Sequence, residues 1–95
     1  MSYYFIANIR IHDEDEYQKY LDNTEGSLRR FKKEYLVVDD TPKVLEGGWE
    51  YTRNVVIRFD SKADFEAWYY SDDYQKILKH RLKAADCDTI LVKGL

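Results

Sequence analysis

Apolar side chains stand at every second position in Tyr3, Phe5, Ala7, Ile9 and Ile11. At Asp13 that period of two gives way to a period of about 3.6. The first pattern places five side chains on one face of a strand. The second, carried by Tyr17, Tyr20, Leu21, Thr24, Leu28 and Phe31, makes one stripe on a helix. Asp13 stands at the switch with Glu16 three residues on, the spacing of a capping box, so the helix is expected to start there. Gly26 is expected to loosen its middle. The other strand face, with Tyr4, Ile6, Asn8 and Arg10, is mixed rather than polar, which predicts that it too is covered.

Further strands and helices follow, without an internal repeat. Tyr35 to Asp39 reads as a second strand, and Asp39-Asp40-Thr41-Pro42 as a turn. Lys43 to Glu46 is expected to form a small extra strand, ended by Gly47-Gly48. Arg53 to Asp60 is the third main strand, with Val55, Ile57 and Phe59 on one face. Ser61 and Asp64 cap a helix carrying Phe65, Trp68 and Tyr69. Ser71 caps another, with Asp72 and Asp73 at the positive end of its dipole, running to about residue 85. Thr89 to Lys93 is the last strand. The order strand, helix, strand, strand, helix, strand predicts an α+β fold of ferredoxin-like βαββαβ topology over a single domain, residues 1–95. Two right-handed crossovers are expected to set the first and third strands side by side and parallel in the sheet centre, with the helices on one face. The other face then needs a cover, and a second subunit supplies one.

Size and charge narrow the function classes. A chain of 95 residues buries only roughly 60–65% of its unfolded surface, which favours a homodimer. The formal charge of −3 argues against nucleic-acid binding, which needs a basic surface. No apolar run approaches the roughly 20 residues of a membrane span. The start has no basic stretch ahead of its apolar residues and is read as a strand, not an export signal. The lone cysteine, Cys87, makes no internal disulfide, and a reducing cytoplasmic setting is expected. Two histidines and one cysteine give no metal-ligand spacing, and Gly47-Gly48 is no phosphate loop, so neither metal nor cofactor is expected.

Several segments together resemble a known family. They are Tyr4-Phe5-Ile6-Ala7 with Arg10 and Tyr17, Leu45-Glu46-Gly47-Gly48-Trp49, Arg53 to Phe59, Ala67-Trp68-Tyr69 with Ser71-Asp72-Asp73-Tyr74-Gln75, Arg81, and Leu91-Val92-Lys93-Gly94. In order and spacing this series resembles the domain of unknown function 1330 family. The resemblance implies a dimeric α+β barrel with an antiparallel four-stranded sheet in each subunit and ligands in a cleft between sheet and helices. Relatives in that superfamily include cofactor-independent monooxygenases, haem-degrading enzymes and muconolactone isomerases. The resemblance supplies a fold and a place to look, not a reaction. The chain also departs from the family pattern. Asn8 stands where many members carry an acidic residue, and a neutral amide is no carboxylate base. Lys32-Lys33 and Val38-Asp39-Asp40 replace glycines and an arginine of a loop that members share.

The ligand-binding candidates are Arg81, Trp68, Tyr17, Trp49 and His12. Tyr74, Ile77, Leu78, Leu82 and Ala85 form an apolar helical stripe with Arg81 near its middle. A guanidinium there needs a ligand, an ion-pair partner or a path for its head to solvent. Trp68 and Tyr17 also suit the core. Trp49, after two glycines, is placed to close a pocket or meet a partner subunit. His12 sits by the first helix start and fits a cleft mouth. His80 is expected to be a solvated surface residue and Cys87 an inert one. Asn8, Arg58 and Arg10 are expected to meet in the dimer interface. The function these residues support is a dimeric small-molecule-binding protein. Its ligand is a small aromatic or carbonyl compound, and a cofactor-independent enzyme is one version of the reading. The alternative is a non-catalytic structural or regulatory dimer.

Overall fold

The computed structural model describes every residue from Met1 to Leu95. Its elements are β1 (Tyr3–Ile11), α1 (Glu14–Leu28), β2 (Lys33–Asp39), β3 (Arg53–Phe59), α2 (Lys62–Tyr69), α3 (Asp72–Ala84) and β4 (Ala85–Lys93). The strands form one sheet in the order β2-β3-β1-β4. All three pairings are antiparallel. The expected parallel pairing of the first and third strands is therefore corrected. Each crossover skips one strand position, so its two strands run parallel without touching. The β2–β3 connection reverses the chain, and β3 enters beside β1 in the opposite direction. No helix is long and apolar enough to cross a membrane.

The helix starts follow from their caps. Asp13, Ser61 and Ser71 each accept a hydrogen bond from the backbone N–H three residues on. This satisfies a donor that the first turn leaves free. Glu16 does not close the capping box, because its carboxylate turns instead to Lys19 and His80. The Asp13 N–H donates to the carbonyl of Ala84, as does that of His12. Those two bonds satisfy the end of α3 without a loop. The chain then passes straight into β4, with Ala85 already extended at φ −153° and ψ 154°. The last strand thus begins four residues before the expected Thr89. Asp86 and Asp88 read as loop, but they lie on the outer sheet face, where Asp86 pairs with Arg10 and Asp88 with the Tyr51 hydroxyl.

Other expectations change as well. Helix α1 runs through Gly26 to Leu28. The second strand starts at Lys33 rather than Tyr35. Lys43 to Glu46 forms no strand and lies in an open connection between β2 and β3. Gly47 turns that connection at φ +81°, a conformation that favours glycine. Leu82 is 63% exposed, while Tyr74, Leu78, Arg81 and Ala84 are buried. At about 100° per residue Leu82 falls just off the edge of that face.

Phe5, Ala7, Ile9, Ile57 and Phe59 present the inner sheet face to Tyr17, Tyr20, Leu28, Phe65, Trp68, Tyr74 and Leu78 of the helices. The aromatic centre is dense. The rings of Trp68 and Tyr74 stand 4.1 Å apart, and Phe59 stacks on Trp68 at 5.5 Å. The buried Trp68 indole N–H donates to Ser27 Oγ at 3.0 Å, so its burial leaves no polar atom unpaired. The opposite sheet face carries no element of this chain. By register it presents Tyr4, Ile6, Val56, Ile90, Val92 and Val37. Within one chain Asn8 and Arg58 do not touch. Asn8 faces Asn54 at 2.7 Å, Arg58 pairs with Glu34 and Asp60, and Arg10 pairs with Asp86 and Glu50.

Candidate functional site

Helix α1 packs chiefly on α3 rather than on the strands. A cleft of about 290 Å³ opens beneath it. Its floor is the inner sheet face, with Phe5, Ala7 and Ile9 from β1 and Val55 and Ile57 from β3. The methyl side chain of Ala7 leaves the depth. Tyr17, Tyr20, Leu21 and Thr24 form the α1 wall, and Tyr35 and Val38 of the edge strand form the mouth. Three charged residues line it: Arg81, Arg53 and Glu25. The lining contains no histidine and no cysteine.

Arg81 comes from α3 and is 2% exposed. No carboxylate lies within ion-pairing distance of it, and its Nε has no hydrogen-bond partner. Its guanidinium carbon stands 5.6 Å from the Tyr20 ring centroid, a cation–π distance. Burial opposes its charge, but the neighbouring Tyr74, Tyr20 and Cys87 hold its pKa above the usual guanidinium value. It therefore remains a cation in an apolar wall.

Arg53 enters from the first position of β3. One arm reaches Asp40 at 2.7 Å, its Nε is buried without a partner, and its guanidinium carbon lies 5.9 Å from the Tyr17 ring. Tyr17 is buried between sheet and helices, and that burial pushes its phenol up to about 12 against the pull of Arg53 and Arg81. It is a neutral hydroxyl at working pH. Burial likewise raises Tyr74 and Tyr35, and Glu25 adds to the effect at Tyr35. Glu25 stands at the rim, 3.8 Å from Lys33. The cleft thus offers one buried and one half-buried cation and neutral phenols inside an aromatic lining. Such a set orients an anionic oxygen and stabilises charge growing on one.

Among the five candidates, Arg81 and Tyr17 line this cleft. Trp68 is fully buried in the core and lines no cavity. Trp49 is 38% exposed in the β2–β3 connection, edge-on to Tyr51 at 5.0 Å. It borders a separate shallow depression with Pro42 and Leu45. His12 is exposed at the end of β1, away from the cleft lining. His80 is not a lone surface residue, since its Nδ1 meets Glu16 Oε2 at 2.6 Å. Cys87 is half-buried on the inner face of β4, near Arg81. The sequence reading missed Arg53 as a site residue. The signal was available: Arg53, Val55, Ile57 and Phe59 alternate on one face, so the strand's first inward residue is a cation.

Comparisons with known proteins agree with this architecture. A protein of unknown function from Rhodopseudomonas palustris superposes with a TM-score of 0.83 at 18% identity, covering 99% of this chain and 82% of that one. A dimeric ferredoxin-like protein of unknown function from Jannaschia superposes at 0.73 and 10% identity, over 99% of this chain and 100% of that one. A cofactor-independent oxygenase from Streptomyces nogalater superposes at 0.70 and 8% identity, over 99% of this chain and 93% of that one. At these identities the likeness concerns the fold alone. No curated protein sequence matches the chain. The family model described as domain of unknown function 1330 matches residues 2–95, and the chain belongs to that family.

Proposed function

We propose that this chain is a dimeric small-molecule-binding protein whose cleft holds a small aromatic or carbonyl compound, with Arg81 oriented toward the ligand's anionic oxygen. The observation that carries this reading is Arg81 itself, 2% exposed on the lining of an open cleft with no carboxylate in reach. An unpaired buried charge is costly, and a ligand oxygen relieves that cost. A structural role would instead place a carboxylate against it. The aromatic lining favours a flat ligand, and about 290 Å³ lies at the small end of the roughly 300–1,000 Å³ typical of ligand pockets. In the enzymatic version of this reading, Arg81 stabilises the oxyanion of an enol or phenol in a cofactor-independent reaction. The fold likeness to a cofactor-independent oxygenase makes that version worth testing. The dimer rests on the bare apolar sheet face and on fold relatives described as dimeric.

Calorimetric titration with benzoate and 1-naphthoate tests the ligand site. Both are expected to bind the parent protein, and Arg81→Met is expected to abolish binding while the fold persists. Equal binding by parent and variant would remove Arg81 from the site.

A further inference from the structure

The chain has two buried side-chain polar atoms without a hydrogen-bond partner, and both are guanidinium Nε atoms on the lining of the same cleft. Arg81 belongs to the helix layer and Arg53 to the sheet. Each stands within cation–π distance of one ring of the Tyr17–Tyr20 pair, whose centroids are 5.5 Å apart. The Tyr17 phenol feels both charges. Chance burial of one arginine stem does not account for two orphaned guanidinium atoms in one cavity of a chain that is acidic overall.

We infer that Arg53 is a second ligand-contacting residue, and that the cleft selects aromatic acids carrying two acidic oxygen groups over those carrying one. This rests on reading the cleft as a ligand site. The chemistry follows from the charges. The lining holds two cations, and its one carboxylate, Glu25, stands at the rim beside Lys33. A monoanion bound at Arg81 leaves Arg53 with only Asp40, whose side chain is 68% exposed and solvated. A second carboxylate or phenolate on the same ring gives Arg53 a partner within the cleft, where the lower dielectric strengthens it. Asp40 then competes with the ligand for Arg53 from outside. Its strength sets how far the second group is recognised.

The experiment compares benzoate, phthalate and terephthalate by calorimetry on the parent protein, Arg53→Met and Asp40→Asn. At least one diacid is expected to bind the parent about ten- to a hundredfold tighter than benzoate, the scale of one charged hydrogen bond. Arg53→Met is expected to erase that advantage, so that on this variant the diacid binds within about twofold of benzoate. Asp40→Asn keeps the cation and changes only an exposed turn residue, so it folds even if Arg53→Met does not. It is expected to tighten the diacid and leave benzoate unchanged. Benzoate binding with no diacid advantage, or an Asp40→Asn protein with unaltered preference, overturns the role of Arg53 while leaving the cleft as a site. Failure of all three acids to bind the parent overturns both readings.

Discussion

The hydroxyls of Tyr20 and Tyr74 meet 2.7 Å apart in the buried seam between α1 and α3, with the Arg81 guanidinium over the Tyr20 ring. The pair ties together the two helices that frame the cleft, one hydroxyl donating to the other where water is excluded. Removing one hydroxyl leaves its partner desolvated and unpaired. Tyr20→Phe is expected to cost about 1–3 kcal/mol, and Tyr20→Phe with Tyr74→Phe less than the sum of the two single changes. Urea denaturation of the four proteins in the cycle measures this. Strict additivity would mean that the two hydroxyls do not support one another.

Arg81→Met keeps the apolar stem and deletes the charge. Breaking a buried ion pair typically costs about 3–5 kcal/mol because the other charge is stranded. Arg81 strands no carboxylate, since none pairs with it. The variant is therefore expected to be as stable as the parent, or slightly more stable, as often follows when a site charge is removed. The denaturation midpoint checks this, and a loss of several kcal/mol would give Arg81 a structural role.

What was legible in the sequence was what local chemistry decides. The three helix starts follow from Asp13, Ser61 and Ser71, whose side chains reach their own first turns. The inner face of β1 follows from strict alternation. Arg81 could be placed in the middle of a buried face because its neighbours at helical spacing are apolar. What depends on distant partners was not legible. Asp86 and Asp88 belong to a strand because β4 pairs with β1 along its whole length, and Arg10 and Tyr51 receive their carboxylates there. His80 is tied down at the surface only because Glu16 stands opposite on α1. The cleft is the space left where α1 stands off the strands, which no periodicity encodes. Arg53 gains meaning as a site residue only beside that space.

The Glu16–His80 contact predicts a pH dependence. The hydrogen bond from His80, helped by Lys19 and Lys83, holds the Glu16 carboxyl below its usual range, against burial. A carboxyl depressed in the folded protein adds stability that is present above its unfolded pKa of about 4.3 and is lost as pH falls through the lower folded value. His80→Gln is therefore expected to be less stable than the parent at pH 6 and above. The difference narrows as the pH falls below about 4, where Glu16 takes up its proton in both proteins. Urea midpoints measured from pH 3 to 7 test it, and a difference that stays constant into acid would detach the effect from Glu16.

The bare sheet face predicts the assembly. Tyr4, Ile6, Val56, Ile90, Val92 and Val37 form an apolar field on it, and Ile90, on the edge strand β4 beside Ile6, is 55% exposed. Asn8, Asn54, Arg58, Glu34, Asp86 and Asp88 border that field with polar groups, the arrangement of an interface core inside a polar rim. A two-layer chain only 15 Å thick leaves that face without a cover of its own. The parent is expected to sediment at twice the chain mass at micromolar concentration. Ile90→Lys sets an ammonium in this apolar field, where pairing would bury it against apolar side chains at a cost of several kcal/mol. In a monomer the same lysine is solvated and costs little. The variant is therefore expected to sediment as a single chain with its circular dichroism unchanged. A parent that is monomeric at that concentration, or a variant that stays dimeric, would place the contact elsewhere.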